Sequence, residues 1–184
     1  MMKNIFQART TARQKLVQAL YQWQLAGHNI RDIEDQFMDG QDMRKADLEY
    51  FHQLLHNIPP MIKQLDEALF PFLDREQGQL DPTERAILWL GCYELKQCPD
   101  IPFRVAINES VELAKKFGAD DSFKYINGVL DKLAQHLSNP TQPLPKVIKK
   151  VAAARMTKPK TVTNPTDNPK KTTTLSLKKP SENN

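Results

Sequence analysis

The sequence predicts an all-α fold, a compact helical bundle of about seven helices, followed by a disordered C-terminal tail. Three observations carry this. Apolar residues recur at spacings of three and four, and alternation of period two is scarce. Prolines, glycines and capping residues mark helix starts and stops at short intervals. The composition changes at Ser138: residues 1–138 hold 16 Lys+Arg against 20 Asp+Glu, net −4, whereas residues 139–184 hold 10 basic and 2 acidic residues, net +8.

Ala12, Leu16, Leu20 and Trp23 define one face of a first helix, entered near Thr10 or Thr11 and ended by Gly27. Ile30, Ile33 and Phe37 give a short second helix that stops near Gly40. Leu48, Phe51, Leu55 and Ile58 form a third, which Pro59-Pro60 is expected to break. A fourth then starts on those prolines, with Met61, Ile62, Leu65 and Leu69 inward, and closes at Pro71. Asp81-Pro82-Thr83-Glu84 places an acceptor at the N-cap, proline at N1 and glutamate at N3, the pattern of a capping box. The helix that follows carries Ile87, Leu88 and Leu95, and Gly91 within it predicts a close helix crossing. Pro99 and Pro102 separate it from a helix over Val105–Phe117, which Gly118 is expected to end as a C′ residue. The last helix starts at Asp120 or Asp121 and carries Phe123, Ile126, Leu130, Leu133 and Leu137 in a 3-4-3-4 stripe. No repeat of 30–45 residues is visible, which argues against a solenoid.

Residues 1–138 therefore form the folded domain. Residues 139–184 hold 7 of the 13 prolines and none of the aromatic residues, too little apolar surface to offset the entropy of ordering. The N-terminus lacks the apolar stretch of a secretory signal, and no apolar run is long enough to span a bilayer, so a cytoplasmic location without membrane contact is expected.

Few residues suggest catalysis. The six glycines form neither a dinucleotide nor a P-loop pattern. Cys92 sits among apolar residues, and Cys98 precedes a proline without an activating neighbour. His52 and His56 have a spacing that can bind zinc, but HQLLH lacks the glutamate of a metalloprotease motif and no third ligand is evident nearby in sequence, so no metal is expected. The acid pairs Glu34-Asp35 and Asp120-Asp121 stand beside no nucleophile or cofactor cradle. The prediction is a protein without enzymatic activity and without a cofactor.

Charge is more informative. Lys3, Arg9, Arg13, Lys15 and Arg31 precede the first acid, Asp32, and a local positive field on an acidic body points to an anionic partner. Tyr21 lies eight residues after Arg13, about two helical turns, a spacing at which both can share a face. Beside basic groups it offers a stacking platform for an unpaired base; the other reading packs it in the core beside Trp23.

The segments ARTTARQKLVQALYQWQL, LDPTERAILWLGCYEL and PFRVAINESVELAKKFGADDSFKYINGVLDKLA resemble the NusB family of bacterial transcription antitermination factors. The resemblance runs from about Ala8 to His136, and its most specific parts are VAINE at 105–109, ELAKKFG at 112–118 and the string from Ser122 to Asp131. It implies seven helices in two three-helix-like subdomains. It also implies a partner, the small-subunit ribosomal protein NusE, with which the family binds single-stranded boxA RNA. That complex joins other Nus factors and RNA polymerase during elongation of ribosomal RNA operons.

The resemblance implies RNA-binding roles for Arg9, Arg13, Lys15, Tyr21, Arg85, Lys124 and Tyr125, and protein-partner roles for Glu84, Trp89 and Asp121. Thr10 and Thr11 stand where the family commonly has arginines, which implies fewer phosphate contacts from the body; the basic tail is a candidate to compensate. Glu84 fits either reciprocal capping or partner contact, Asp121 either a cap or a contact. Trp89 is either additional core or an exposed anchor. Two other readings compete: a helical scaffold that binds protein without RNA recognition, and a domain related to the NusB-like part of RNA methyltransferases. The latter needs a following α/β domain, for which 46 tail residues are too few.

Overall fold

The computed structural model describes residues 2–40, 43–74, 79–141 and 144. Beyond Thr141 the predicted tail, apart from Leu144, lies outside the described residues. Six α-helices are present among the described residues: α1 (Met2–Ala26), α2 (Ile30–Gly40), α3 (Leu48–Leu69), α4 (Pro82–Gln97), α5 (Phe103–Phe117) and α6 (Ser122–Ser138). A 3-10 turn over Phe70–Phe72 closes α3.

The centre of the domain is α4. Every residue from Ala86 to Leu95 is buried, because α1, α3, α5 and α6 all pack around it. A helix enclosed on all sides has no polar face, so its apolar residues follow one another rather than forming a stripe. The outer helices show the stripe instead: Ile33 and Phe37 on α2, and Ile126, Leu130 and Leu133 on α6, are buried.

Two boundaries and the role of one glycine differ from the sequence reading. The first helix begins at Met2, not at Thr10 or Thr11. Both threonines bond back to the preceding turn, Thr10 Oγ1 to Phe6 O at 3.1 Å and Thr11 Oγ1 to Gln7 O at 2.9 Å, which satisfies the hydroxyls inside a helix instead of at its cap. Pro59-Pro60 does not break α3, which is why six helices stand where seven are predicted. Without their N–H groups the two prolines forgo the bonds to Leu55 O and His56 O, at a cost of about 3 kcal/mol each in a helix interior. Leu54, Leu55, Ile58, Leu65 and Leu69 are buried on both sides of the interruption. At roughly 1.5–3 kcal/mol per buried side chain, that continuous face outweighs the penalty.

The third difference is the role of Gly118. Its φ of −82° is open to any residue, so a left-handed cap is not what it supplies. A Cβ there would lie 2.7 Å from Ala114 O and 2.9 Å from Ser122 Cβ, so the position is closed by the chain turning from α5 into α6. The left-handed residue at this turn is Asp121, φ 65°. Gly27 does end α1 as expected, with φ 62° and its N–H donating to Trp23 O at 3.0 Å. Leu48, read as inward, is exposed at the first turn of α3.

Candidate nucleic-acid interface

The N-terminal half of α1 carries the basic residues, but the helix turns them in different directions. Eight residues advance about 800°, some 80° past two full turns, so Arg13 and Tyr21 do not share a face. Arg13 follows the core line of Leu16 and Leu20 and is 3 % exposed, whereas Tyr21 is 40 % exposed. The Arg13 Nε donates to Glu94 Oε1 on α4 at 2.7 Å, and Nη1 lies 3.4 Å from Glu109 Oε2 on α5. Tyr50, from α3, donates its hydroxyl to the same Glu94 oxygen, and the guanidinium lies over its ring at 5.4 Å. The expectation that Arg13 grips RNA is therefore corrected: its charge is consumed inside the domain, where it joins four helices.

Burial opposes charge on both members of this pair. For Arg13, the surrounding Glu94, Tyr50 and Glu109 outweigh it and hold the proton more tightly. For Glu94 burial prevails over the attraction of Arg13 and the hydrogen bonds, and its carboxyl lies above the usual carboxylate range.

One turn earlier, Arg9 is half-buried, with Nη1 2.9 Å from Asp100 Oδ2, Nε 3.6 Å from Asp47 Oδ2, and the guanidinium 5.1 Å from the Tyr50 ring centre. The Thr10 hydroxyl also lies 2.9 Å from Glu109 Oε2, its single proton shared between that carboxylate and Phe6 O. Lys15 is half-buried on the next turn.

Tyr21 lies on the outer face of α1, in a shallow groove formed with Val17, Gln18, Thr83 of α4 and Phe117 of α5. The reading that places it inside the core is thereby set aside; Leu20 is fully buried and Trp23 half-buried, edge-on to Trp89 with ring centres 6.4 Å apart. Lys116 reaches across to the same side of α1, its Nζ 2.6 Å from Gln14 Oε1.

The N-cap and proline of the start of α4 are as the sequence predicts: Asp81 Oδ1 accepts from Thr83 N at 2.8 Å, with Pro82 at the first helical position. Glu84 faces inward. It is 7 % exposed and accepts from Ser122 Oγ at 2.6 Å, tying α4 to the first residue of α6. That contact is a correction to its role as a partner residue on the surface. Trp89 is likewise corrected. It is 3 % exposed, and its indole N–H donates to Asp66 Oδ1 at 2.7 Å, so it is core and not an exposed anchor. Arg85 is half-buried and lies over the Trp89 ring at 5.5 Å.

At the start of α6, Asp121 and Lys124 are both exposed and paired at 2.7 Å; Asp121 occupies the N-cap position without a side-chain capping bond. Tyr125 is half-buried against the core. The structure thus brings Tyr21, Thr83 and Phe117 together in one groove, and joins the α4 and α6 starts through Glu84 and Ser122. It sets Arg9 and Arg13 apart, among acids and on another face of α1.

The histidines have a neighbour that the sequence does not reveal. Glu34 of α2 lies between them, Oε1 2.7 Å from His52 Nδ1 and Oε2 2.8 Å from His56 Nε2. The expectation that no third ligand stands nearby fails because the residue is 18 and 22 positions away in the chain.

A family model described as the NusB family matches residues 10–135. The chain belongs to the NusB family. Transcription antitermination protein NusB of Alcanivorax borkumensis is 59 % identical over 130 residues, covering 71 % of this chain and 87 % of that protein. NusB of Pseudoalteromonas translucida is 54 % identical over 130 residues, covering 71 % and 96 %. Among solved structures, T. maritima NusB superposes with a TM-score of 0.62 at 27 % identity, covering 69 % of this chain and 90 % of that one. A crystal structure of antitermination factors NusB and NusE in complex with dsRNA gives 0.61 at 25 % identity, covering 73 % and 98 %. NusB proteins are transcription antitermination factors and not enzymes, which agrees with the absence of catalytic motifs read from the sequence.

Within this NusB fold, the sequence reading passed over Lys115 and Lys116. Both are exposed at the end of α5, Lys115 with its Nζ 2.6 Å from Glu112 Oε1. Two lysines in a last helical turn read as partners of the helix dipole, so composition alone gave no reason to connect them with Tyr21. The signal that does connect them is the ELAKKFG run, whose Phe117 shares the Tyr21 groove.

Proposed function

We propose that this chain is an antitermination factor that binds boxA single-stranded RNA of nascent transcripts together with NusE, a small-subunit ribosomal protein. The RNA–protein complex then joins other Nus factors and RNA polymerase in the cytoplasm to sustain elongation of ribosomal RNA operons. Membership of the NusB family supports the role, and the related NusB–NusE–dsRNA crystal structure supports the pair of partners. Among the described residues no helix is long and apolar enough to cross a membrane.

The observation that carries the RNA reading is the exposed Tyr21 ring in a groove lined by Phe117, with Lys116, next to Phe117 in the chain, exposed and bonded to Gln14 of the same helix as Tyr21. A base has an aromatic platform there and its phosphates have cations nearby. Tyr21, Lys15, Lys124 and Tyr125 contact RNA in this proposal, with Lys115 and Lys116 added and Arg9 and Arg85 lending charge from half-buried positions. Asp121 is the exposed residue assigned to NusE. Arg13, Glu84 and Trp89 act through the fold that holds this surface.

Filter binding with boxA RNA and with a scrambled strand, with and without NusE, tests the proposal. Tight binding that prefers boxA and strengthens when NusE is added is the expected result. Equal affinity for the scrambled strand in the presence of NusE overturns it, and binding to NusE alone would favour a protein scaffold.

A further inference from the structure

The packing of α2 against α3 brings two imidazoles and one carboxylate to a single point. Phe37 and Phe51 hold the two helices together, their ring centres 5.8 Å apart, and Ile33 is buried one residue before Glu34. His52 and His56 stand four residues apart on α3, hence on one face, with ring centres 4.5 Å apart. Glu34 Oε1 and Oε2, one oxygen to each ring, lie 2.7 and 2.8 Å from His52 Nδ1 and His56 Nε2, and one candidate ligand atom from each residue falls within 4.8 Å of the other two. Glu34 is half-buried, while the His52 side chain is 58 % exposed, so the cluster opens to water on one side.

We propose that Glu34, His52 and His56 form a surface site for a borderline first-row divalent cation such as Zn2+, with water completing the coordination. Two imidazole nitrogens and one carboxylate oxygen are the donor set of such ions. Mg2+ and Ca2+ require oxygen donors, and Cu(I) requires sulfur. A tetrahedral Zn2+ with bonds of about 2.0–2.1 Å separates its ligand atoms by about 3.3 Å. The present spacings of 2.7 and 2.8 Å therefore need to open by about half an ångström, within reach of side-chain rotation on an exposed rim. In each neutral imidazole the nitrogen that faces the ion donates its lone pair while the ring's proton sits on the other nitrogen, and the shared ion ties α2 to α3.

The test is titration of the full chain, prepared without a histidine tag, with ZnCl2 by calorimetry and with CoCl2 by absorption spectroscopy. One equivalent of Zn2+ should bind and raise the thermal midpoint, whereas MgCl2 should do neither. His52→Ala, His56→Ala and Glu34→Gln should each weaken Zn2+ binding at least about 10-fold. His28→Ala, outside the cluster, should leave it unchanged. His52 contributes nothing to the core, so its variant keeps the helical circular dichroism of the parent. Co2+ broadening of the His52 and His56 ring protons in the unsubstituted protein locates the ion without any variant. Failure of the parent to take up Zn2+ saturably, broadening elsewhere, or undiminished binding in all three variants overturns the proposal.

Discussion

Arg13 and Glu94 form an ion pair of 2.7 Å whose side chains are 4 % and 1 % exposed, joining α1 to α4 in the middle of the domain. Removing one member of such a pair leaves a buried charge without compensation, which costs about 3–5 kcal/mol. Arg13→Ala should therefore lower unfolding free energy by about that amount in urea denaturation. Replacing both partners by apolar residues, Arg13→Met with Glu94→Leu, should cost less than the sum of the single losses by about 1 kcal/mol or more. Additive losses would mean that the two charges do not depend on each other.

The same carboxylate gives a pH signature. Burial raises the Glu94 pKa in the folded protein, so between the ordinary glutamate value of about 4.3 and the folded value the native state binds more protons than the unfolded one. Stability from this group is thus greatest below that window and falls as pH rises through it. Exposed carboxylates run the other way, so the quantity to measure is the difference between the parent and Glu94→Gln. That difference should decline with rising pH across the window and be flat above it; a rise would reverse the assigned direction.

Two glycines make opposite predictions. A Cβ on Gly91 would stand 2.7 Å from Leu130 Cδ1 and 2.7 Å from Ser110 Oγ, both buried, so Gly91→Ala should destabilise by about 1–3 kcal/mol. Gly128 lies within α6 and a Cβ there meets nothing within 4 Å, so Gly128→Ala should stabilise by about 0.5–1 kcal/mol through helix propensity. Thermal melts of the two variants against the parent decide both signs.

Legibility in the sequence followed the range of the interaction. Gly27, Asp81 and the α6 stripe are local signals, set by one residue's backbone or by i, i+4 spacing, and they read correctly. The close crossing at Gly91 was readable because glycine costs helix stability and can mark a close approach, a signal that Gly128, open on α6, shows is not general. Pro59-Pro60 misled because the break is local while the face that overrides it is tertiary. On the candidate surface, Tyr21 read well through its motif, but the inward turn of Arg13, Glu84 and Trp89 depended on Glu94, Ser122 and Asp66, none of them neighbours in the chain. Glu34 between the histidines is the same kind of relation.

Neither cysteine should behave as a reactive thiol. Burial pushes Cys92 up to about 12 and Cys98 up to about 11, the latter helped by Glu94 and Asp100. A free thiol ionises near 8.5, so at pH 8 the Cys98 thiolate fraction is lower than that of a free thiol by on the order of 100-fold. Iodoacetamide labelling of the native protein at pH 8 should be slower than that of the urea-unfolded chain by about this factor. Native labelling at the unfolded rate would show that the thiols are open to solvent.

Tyr21 and Lys124 should fail in distinguishable ways when RNA binding is measured against salt. A stacked ring carries no charge, so Tyr21→Ala should weaken boxA binding by about 1–3 kcal/mol at every salt concentration, with Tyr21→Phe restoring most of it. Lys124 acts as a point charge at the exposed start of α6, so Lys124→Ala should reduce the log–log salt slope by about 0.7, the single-strand value for one phosphate. Arg13→Ala, once correction is made for the unfolded fraction, should leave that slope unchanged, because its guanidinium already lies against Glu94 and Glu109. A slope reduced by Arg13→Ala and not by Lys124→Ala would require α1 to turn its buried side outward on binding, and the interface assigned here would be wrong.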